Sequence, residues 1–175
     1  SIGDFSYDYL LLATGAKTNY YGNSETEKHS MGLKSTFQSI NVRNTILTNF
    51  EKLLYSKDKE ALHNIVIVGG GATGVELAGA FVEIKKDVLE GSRDTLSAMS
   101  SFAQNYSEQY LKDMGVIVKT NVFVTSYDGE TLTLNNGETI PSKSVIWSAG
   151  ITGNMIGGIP EENIMRGNRI KVDRM

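Results

Sequence analysis

The strongest chemical signal in the chain is a glycine pattern between two predicted elements. Gly69, Gly71 and Gly74 form G-x-G-x-x-G directly after the apolar run at residues 65–68. In such a turn the first glycine permits a tight bend, the second lets backbone N–H groups approach a pyrophosphate, and the third lets the helix lie close to the strand. The positive end of the helix dipole then faces the phosphates. The predicted cofactor-binding residues of this turn are Gly69, Gly70, Gly71, Ala72, Thr73 and Gly74.

Two glutamates are candidates for contacts along the rest of a dinucleotide. Glu90 lies 21 residues after Gly69, the separation expected for an acid that accepts the ribose hydroxyls. An acid there favours NAD(H), whereas the nearby Arg93 could accommodate the extra phosphate of NADP(H). Glu76 is predicted in the first helical turn. It is either an acid placed favourably at a helix N-terminus or a carboxylate facing the nicotinamide, and the two are compatible.

The elements upstream of the glycine turn must lead the chain into it. Residues 7–14 are apolar and predict a buried strand, and residues 16–40 are irregular and predict a loop or crossover. Ser39 is the predicted cap of a helix that ends near residues 56–59. Its apolar positions recur at helical spacing on one face and are Val42, Ile46, Phe50, Leu53 and Leu54.

The elements downstream alternate between helix and strand before a predicted meander. Residues 101–114 predict a helix that stops at Gly115. Its inward positions are Phe102, Tyr106, Tyr110 and Leu111. Strands are predicted at residues 116–118, 122–127, 131–134, 138–140 and 144–147. Asp128-Gly129 and Asn136-Gly137 favour type I′ hairpins, which predict a three-stranded antiparallel meander.

The strand that should precede Glu90 is unusually short. A helix from residue 73 to 85 would be about 20 Å long, and returning along it needs roughly six strand residues at ~3.3 Å each. Only three or four residues are present. Either the helix stops early, near Val82, or residues are missing between Lys86 and Asp87, and we favour the second alternative.

Composition narrows the class of protein. The 175 residues are 40% hydrophobic and 21% charged, which is typical of a globular domain and excludes collagen-like, coiled-coil and disordered chains. The net charge of −3 argues against a nucleic-acid partner. The absence of cysteine excludes a dithiol pair in these residues, and no metal site is predicted. We predict an α/β fold: a Rossmann-like three-layer dinucleotide-binding domain with a parallel sheet, helices and an antiparallel three-stranded β-meander.

Several motifs together resemble the pyridine-nucleotide flavin oxidoreductases with two dinucleotide domains. YDYLLLATGA, NIVIVGGGATGVELAG and SVIWSAGITGN are similar to the ATG turn, the NAD fingerprint and the second glycine turn of that family. GAKTNYYGN, LSAMS and RGNRIKVD are similar to the type II NADH dehydrogenases, the single-subunit NADH:quinone oxidoreductases. The resemblance covers nearly the whole chain.

The resemblance implies roles for individual residues. The glycine turn would hold the NADH pyrophosphate, Glu90 the adenosine ribose, and Glu76 would be the catalytic position beside the nicotinamide, where hydride passes to FAD. Ala149 and Gly150 would lie along the nicotinamide ribose. Thr14 and Gly15 would touch the FAD side of the domain boundary. The complete enzyme to which this chain would belong would pass electrons to a quinone. It would sit at the inner face of the cell membrane through parts absent here, and it could form a homodimer.

The chain departs from that family's full pattern. It has one G-x-G-x-x-G where the family has two, and it lacks the later GD motif. We expect a cytoplasmic central fragment, inactive alone: residues 1–40 lead from the flavin domain, 41–155 bind NAD(H), and 156–175 return toward the flavin domain. The alternatives are the NAD(P)H domain of a ferredoxin, nitrite or disulfide reductase, or a non-catalytic dinucleotide-binding module.

Overall fold

The computed structural model describes residues 3–57, 59–81, 86–89 and 95–172. The strands are β1 (Ala16–Thr18), β2 (Met31–Gly32), β3 (Ile65–Val68), β4 (Lys86–Leu89), β5 (Ile117–Lys119), β6 (Val124–Tyr127), β7 (Thr131–Leu134), β8 (Thr139–Pro141), β9 (Ser144–Trp147), β10 (Ile151–Gly153), β11 (Ile164–Met165) and β12 (Arg169–Ile170). The helices are α1 (Ser24–His29), α2 (Thr36–Leu53), α3 (Lys59–His63), α4 (Ala72–Ala80) and α5 (Ser101–Asp113), and a short 3-10 turn spans Glu161–Asn163.

The chain divides into two compact units. The larger, Thr18–Gly150, holds a parallel sheet of order β2-β9-β3-β4-β5 and an antiparallel sheet of order β6-β7-β8. It includes β2, which joins the parallel sheet beside β9. The smaller unit combines Ser1–Lys17 with Ile151–Met175, where β1 pairs with β10 and β11 with β12.

The larger unit has the predicted three layers. All four residues of β3 are buried, as expected for a central parallel strand covered on both faces. Ile65 and Ile67 pack in a cluster with residues of α2, α4 and α5, whereas Val66 and Val68 pack with residues of the meander. Because side chains alternate along a strand, one four-residue segment therefore joins the helical layer to the antiparallel layer.

The first long helix begins earlier than predicted. Ser35, and not Ser39, is its N-cap: the Ser35 hydroxyl accepts from the Gln38 N–H, and the Gln38 side chain accepts from the Ser35 N–H. This reciprocal pair is a capping box. Val42 and Ile46 are buried as predicted, but Leu54 lies beyond the last residue of α2 and is exposed.

The apolar segment before β1 is not the predicted buried strand. Residues 7–14 form no strand, and Tyr9 is 96% exposed. A strand needs a neighbour for its backbone hydrogen bonds, and no described strand pairs with this segment. Residues 16–40, predicted as a loop, contain β1, α1, β2 and the start of α2.

The meander is confirmed, but its turns are of another type. Gly129 and Gly137 have positive φ angles, whereas Asp128 and Asn136 do not, so the type I′ prediction is wrong. The Asp128 carboxylate instead accepts from the backbone N–H groups of Glu130 and Thr131, at 2.8 and 2.7 Å. Such side-chain bonds fix a turn without a second left-handed residue.

Helix α4 ends at Ala80, and β4 begins at Lys86. The strand runs through Lys86 and Asp87 as consecutive residues, which pair with Ile65 and Val66. Helix α4 thus ends close to the early stop expected near Val82, and the absence of residues between Lys86 and Asp87 stays a prediction.

Helix α5 presents its aromatic residues outward. Phe102, Tyr106 and Tyr110 are 78%, 63% and 53% exposed, whereas Leu111 is buried as predicted. Their rings stack along the helix, with centroids 6.0 and 6.3 Å apart. Ser107 takes the inward position and lies 3.0 Å from the buried Thr95 hydroxyl. A smaller polar residue therefore faces inward where aromatic periodicity predicted the core.

Tyr127 gives the meander a measurable dependence on pH. Its hydroxyl donates to the Ser142 carbonyl, and burial, with Asp128 and Glu130 nearby, raises the pKa of Tyr127 from 10.0 to about 12. Below pH 10 the phenol is neutral in both states. Between pH 10 and about 12 the unfolded chain loses the proton first, so stability falls.

We expect the Tyr127→Phe variant to lose this dependence. At pH 8 it should be less stable than wild type by about 1 kcal/mol, because the hydrogen bond is gone. The two stabilities should cross near pH 11, and by pH 12 the variant should be the more stable by about 1 kcal/mol, because wild type alone loses about 2 kcal/mol through this group. Urea unfolding across this range measures both curves, and parallel curves would contradict the assignment.

Within the parts of the chain that the structure describes, none of the helices combines the length and apolar character required to cross a bilayer.

Candidate functional site

The first glycine turn (residues 69–71) joins the end of β3 to α4, and packing explains two of its glycines. A Cβ at Gly74 would overlap the carbonyl oxygen of Gly69, so only glycine lets α4 approach the strand end this closely. Gly69 has a φ of +112°, and a Cβ there would lie 2.6 Å from the Ala149 nitrogen. These contacts fit the roles predicted for the first and third glycines.

Gly71 differs from both because no described atom requires it to be glycine. Its φ is −71°, which any residue adopts, and a Cβ there would meet nothing within 4 Å. Gly71 is the N-cap of α4, and no described side chain caps this end. The first N–H groups of a helix have no partner within it. Gly71, Ala72 and Thr73, at this end of the helix, are exposed residues.

The second glycine turn (residues 148–150) lies against the first. The Ser148 N–H donates to the Val68 carbonyl at 2.8 Å, and its hydroxyl lies 3.0 and 3.1 Å from the Val68 and Gly69 carbonyl oxygens. Because β3 and β9 are parallel neighbours, both turns leave the same edge of the sheet. The structure therefore brings together Gly69, Gly74, Ala149 and Gly150.

A loop before α5 also supports the first turn. The Leu96 N–H donates to the Gly70 carbonyl at 2.8 Å. Leu96 has a φ of +51°, unusual for a residue with a branched side chain. The Gln104 side chain in α5 donates to the Met99 carbonyl at 2.9 Å and holds the loop.

Of the two candidate glutamates, the structure describes Glu76 but not Glu90. Glu76 is exposed and is the fifth residue of α4, in the second turn and not the first, because α4 begins at Ala72. Glu90 follows β4 in the sequence, but it lies outside the described residues, as does Arg93.

Thr14 and Gly15 belong to the smaller unit. The Asn154 side chain donates to the Thr14 carbonyl at 2.8 Å, and the Asn154 N–H donates to the Gly15 carbonyl at 3.2 Å. Gly15 has a φ of +70°. Both residues line a groove of about 300 Å³, together with residues of β10 and β12.

Three residues around the glycine turns were missed as site residues: Ser148, Leu96 and Tyr21. Each contacts a glycine turn from a distant position in the sequence. Only Ser148 could have been identified from the sequence, because it belongs to the Ser-Ala-Gly turn at residues 148–150. Among the described residues, no three side chains of His, Asp or Glu come together in a cluster able to hold a metal ion.

Comparison with known proteins finds similar sequences among the type II NADH:quinone oxidoreductases. The type II NADH:quinone oxidoreductase Ndh of Mycobacterium tuberculosis is 27% identical over 192 residues, covering 96% of this chain and 41% of that protein. NdhA of the same organism is 30% identical, covering 86% and 37%. The chain thus spans less than half the length of these relatives. Because the first alignment is longer than 175 residues, Ndh has residues within the matched span that lack a counterpart here.

Solved structures share the fold. NDH2 from Plasmodium falciparum, in complex with NADH, matches with a TM-score of 0.79 at 22% identity, covering 86% of this chain and 36% of that one. A ferredoxin reductase from Rhodopseudomonas palustris matches with a TM-score of 0.68 at 20% identity, covering 83% and 35%. These likenesses support the Rossmann-like arrangement.

The family model described as pyridine nucleotide-disulphide oxidoreductase matches residues 3–175, nearly the whole chain. Together with the packed glycine turns at the edge of a parallel sheet, this match means that the chain belongs to the pyridine nucleotide-disulphide oxidoreductase family.

Proposed function

We propose that the larger unit is the NADH-binding domain of a flavin-dependent NADH:quinone oxidoreductase. The observation that carries this proposal is the open space at Gly71, in front of a helix N-terminus that no described side chain caps. Packing requires glycine at positions 69 and 74 but not at 71. A pyrophosphate approaching the backbone accounts for a residue without a side chain there.

The residues of the two turns would divide the work of binding. The N–H groups at the start of α4, from Ala72 and Thr73, would donate to the pyrophosphate, and the helix dipole would favour its charge. Ala149 and Gly150 would lie along the nicotinamide ribose. Ser148 would position both turns through its contacts with Val68 and Gly69.

The two candidate glutamates would orient the bound nucleotide and set the preference between NADH and NADPH. We propose that Glu90 accepts the adenosine ribose hydroxyls, because it comes next in sequence after β4, which is parallel to β3 and ends at the same edge of the sheet. This role favours NADH over NADPH. Glu76 would face the nicotinamide end as the catalytic position. These roles rest on the resemblance and on the parallel arrangement of β3 and β4.

The flavin would contact the smaller unit. The residues that fit it are Thr14 and Gly15, whose backbone turn is fixed by Asn154 and borders a groove. When bound, FAD supplies the acceptor for hydride from the nicotinamide. A quinone as final acceptor is supported by the names of the mycobacterial relatives, and the resemblance implies that the complete protein would lie at the inner face of the cell membrane.

The single tryptophan makes NADH binding directly measurable. Trp147 precedes the second glycine turn, and its indole N–H donates to the Ala149 carbonyl at 2.8 Å. NADH bound along this turn should accept excitation energy from Trp147. We expect titration of the 175-residue chain with NADH to quench tryptophan emission saturably, with NADPH binding more weakly.

The control uses a ligand with the same optical properties but without the phosphates. Reduced nicotinamide mononucleoside at equal absorbance should quench only through inner-filter absorption. Equal quenching by both compounds, or no saturation with NADH, would contradict the proposed function.

A further inference from the structure

Tyr21 stands out among the exposed aromatic residues because of its backbone. Its φ is +52°, in the left-handed region that side chains larger than Asn or Asp rarely adopt. Four described non-glycine residues have positive φ, and two of them are Asn. The other two, Tyr21 and Leu96, each contact one of the two glycine turns. Such conformations persist only where their surroundings hold them, and they often adjoin ligand sites.

The loop before Tyr21 is fixed to the second glycine turn by several contacts. The Tyr21 N–H donates to the Asn19 side chain at 2.9 Å, and the Asn19 N–H donates to the Gly150 carbonyl at 3.3 Å. The Trp147 indole N–H lies 3.0 Å from the Asn19 carbonyl oxygen. The Tyr20 ring packs on Trp147, with centroids 5.4 Å apart. These contacts leave the Tyr21 backbone little freedom.

The Tyr21 ring consequently lies over Gly150. A Cβ added at Gly150 would overlap the Tyr21 hydroxyl and lie 2.9 Å from the ring carbon Cζ. Tyr21 is nevertheless 64% exposed, so its contact with the turn leaves most of the residue open. The turn therefore carries an exposed aromatic side chain on a fixed backbone, available to a ligand.

The sheet order identifies which half of a dinucleotide would meet this ring. β3 lies between β9 and β4, and the first glycine turn follows β3. The candidate ribose acid Glu90 follows β4, which puts the adenosine half on that side. The second glycine turn and Tyr21 lie on the opposite side, after β9.

We propose that Tyr21 is a binding residue for the nicotinamide half of the dinucleotide, and this inference rests on the proposed function. Its exposed ring would pack against the nicotinamide ring beside Gly150, and the hydrogen-bonded Asn19 loop would hold it there before the ligand arrives. Because the loop backbone is fixed in advance, little backbone entropy is lost on binding.

The test compares NADH with ADP-ribose, which keeps the adenosine, both phosphates and the second ribose but lacks the nicotinamide. In the 175-residue chain, Tyr21→Ala should raise the Kd for NADH about tenfold and change the Kd for ADP-ribose less than about twofold. Tyr21→Phe keeps the ring and should bind NADH within about threefold of wild type. Calorimetric titration measures both ligands without relying on fluorescence.

A second ringless variant separates binding from backbone strain. Tyr21→Gly removes the ring and also relieves the left-handed backbone, so it should bind NADH as weakly as Tyr21→Ala while melting at a higher temperature. Equal weakening of NADH and ADP-ribose in both ringless variants would overturn the Tyr21 inference alone, as would unchanged NADH affinity. A wild-type chain that binds neither ligand would overturn the proposed function and this inference with it.

Discussion

Replacement of Gly71 by aspartate is expected to weaken NADH binding about a hundredfold while leaving the fold at least as stable. Gly71 is the N-cap of α4, where aspartate is among the preferred residues because its carboxylate accepts from the helix's first N–H groups. Those are the groups proposed to hold the pyrophosphate. The new carboxylate would occupy them and also repel the phosphates, at a cost of about 3 kcal/mol.

Two matched variants separate these contributions. Gly71→Asn has nearly the same size and caps the helix but carries no charge, so we expect an intermediate loss of about tenfold. Gly71→Ala adds a methyl group where nothing lies within 4 Å, and it should fold normally with a smaller loss. Calorimetry measures the NADH affinity of each variant, and thermal melting measures its stability. An aspartate variant that binds NADH as wild type does would exclude phosphate binding at this turn.

Replacement of Gly74 by alanine is expected to destabilise the larger unit by about 3 kcal/mol or more. The added methyl group would overlap the Gly69 carbonyl oxygen and lie 2.9 Å from its carbonyl carbon. These are backbone atoms, so relief requires α4 to move away from the end of β3. Overpacking of this kind typically costs 1–3 kcal/mol, and more where the neighbour cannot rotate away.

Gly79→Ala is the control for this substitution within the same helix. A Cβ at Gly79 meets nothing within 4 Å, so alanine should be neutral or stabilising by up to about 1 kcal/mol through its higher helix propensity. Urea unfolding of the two variants compares the same chemical change at a crowded and an open position. Similar unfolding midpoints would show that α4 does not depend on its close approach to Gly69.

The central features of the fold were predictable because their signals are local and agree with one another. The four apolar residues of β3 and the glycine pattern after them define a strand, a turn and a helix in 16 consecutive residues, 65–80. The buried strand β9 and the three strands of the meander were readable for the same reason. The close approach at Gly69 and Gly74 then follows from the pattern itself.

The start of α2 and the buried face of α5 were harder to predict, because more than one local pattern was compatible with the sequence. Both Ser35 and Ser39 could cap α2, and the Gln38 side chain decides in favour of Ser35 by completing a capping box. On α5, Phe102, Tyr106 and Tyr110 share a face at helical spacing, but Leu111 and Ser107 are the residues that pack inward. Periodicity identifies a face of a helix and does not determine which face is buried.

The remaining site residues depend on contacts that no local pattern encodes. Tyr21 meets Gly150 across more than a hundred residues of sequence, and Leu96 meets Gly70 through an unusual backbone angle. Neither residue type is a frequent member of a phosphate turn. Their positions become visible only when the parallel sheet brings the two turns to one edge.

The strand order also determines when the larger unit can complete its folding. β9 lies between β2 and β3 in the sheet, although it is synthesised nearly eighty residues after β3. On a ribosome, Val66 and Val68 therefore remain uncovered until both the meander and β9 have emerged. Pairing across such long sequence separations is slow. Early folding intermediates should consequently expose the centre of the sheet, and they are the species that a chaperone would have to protect.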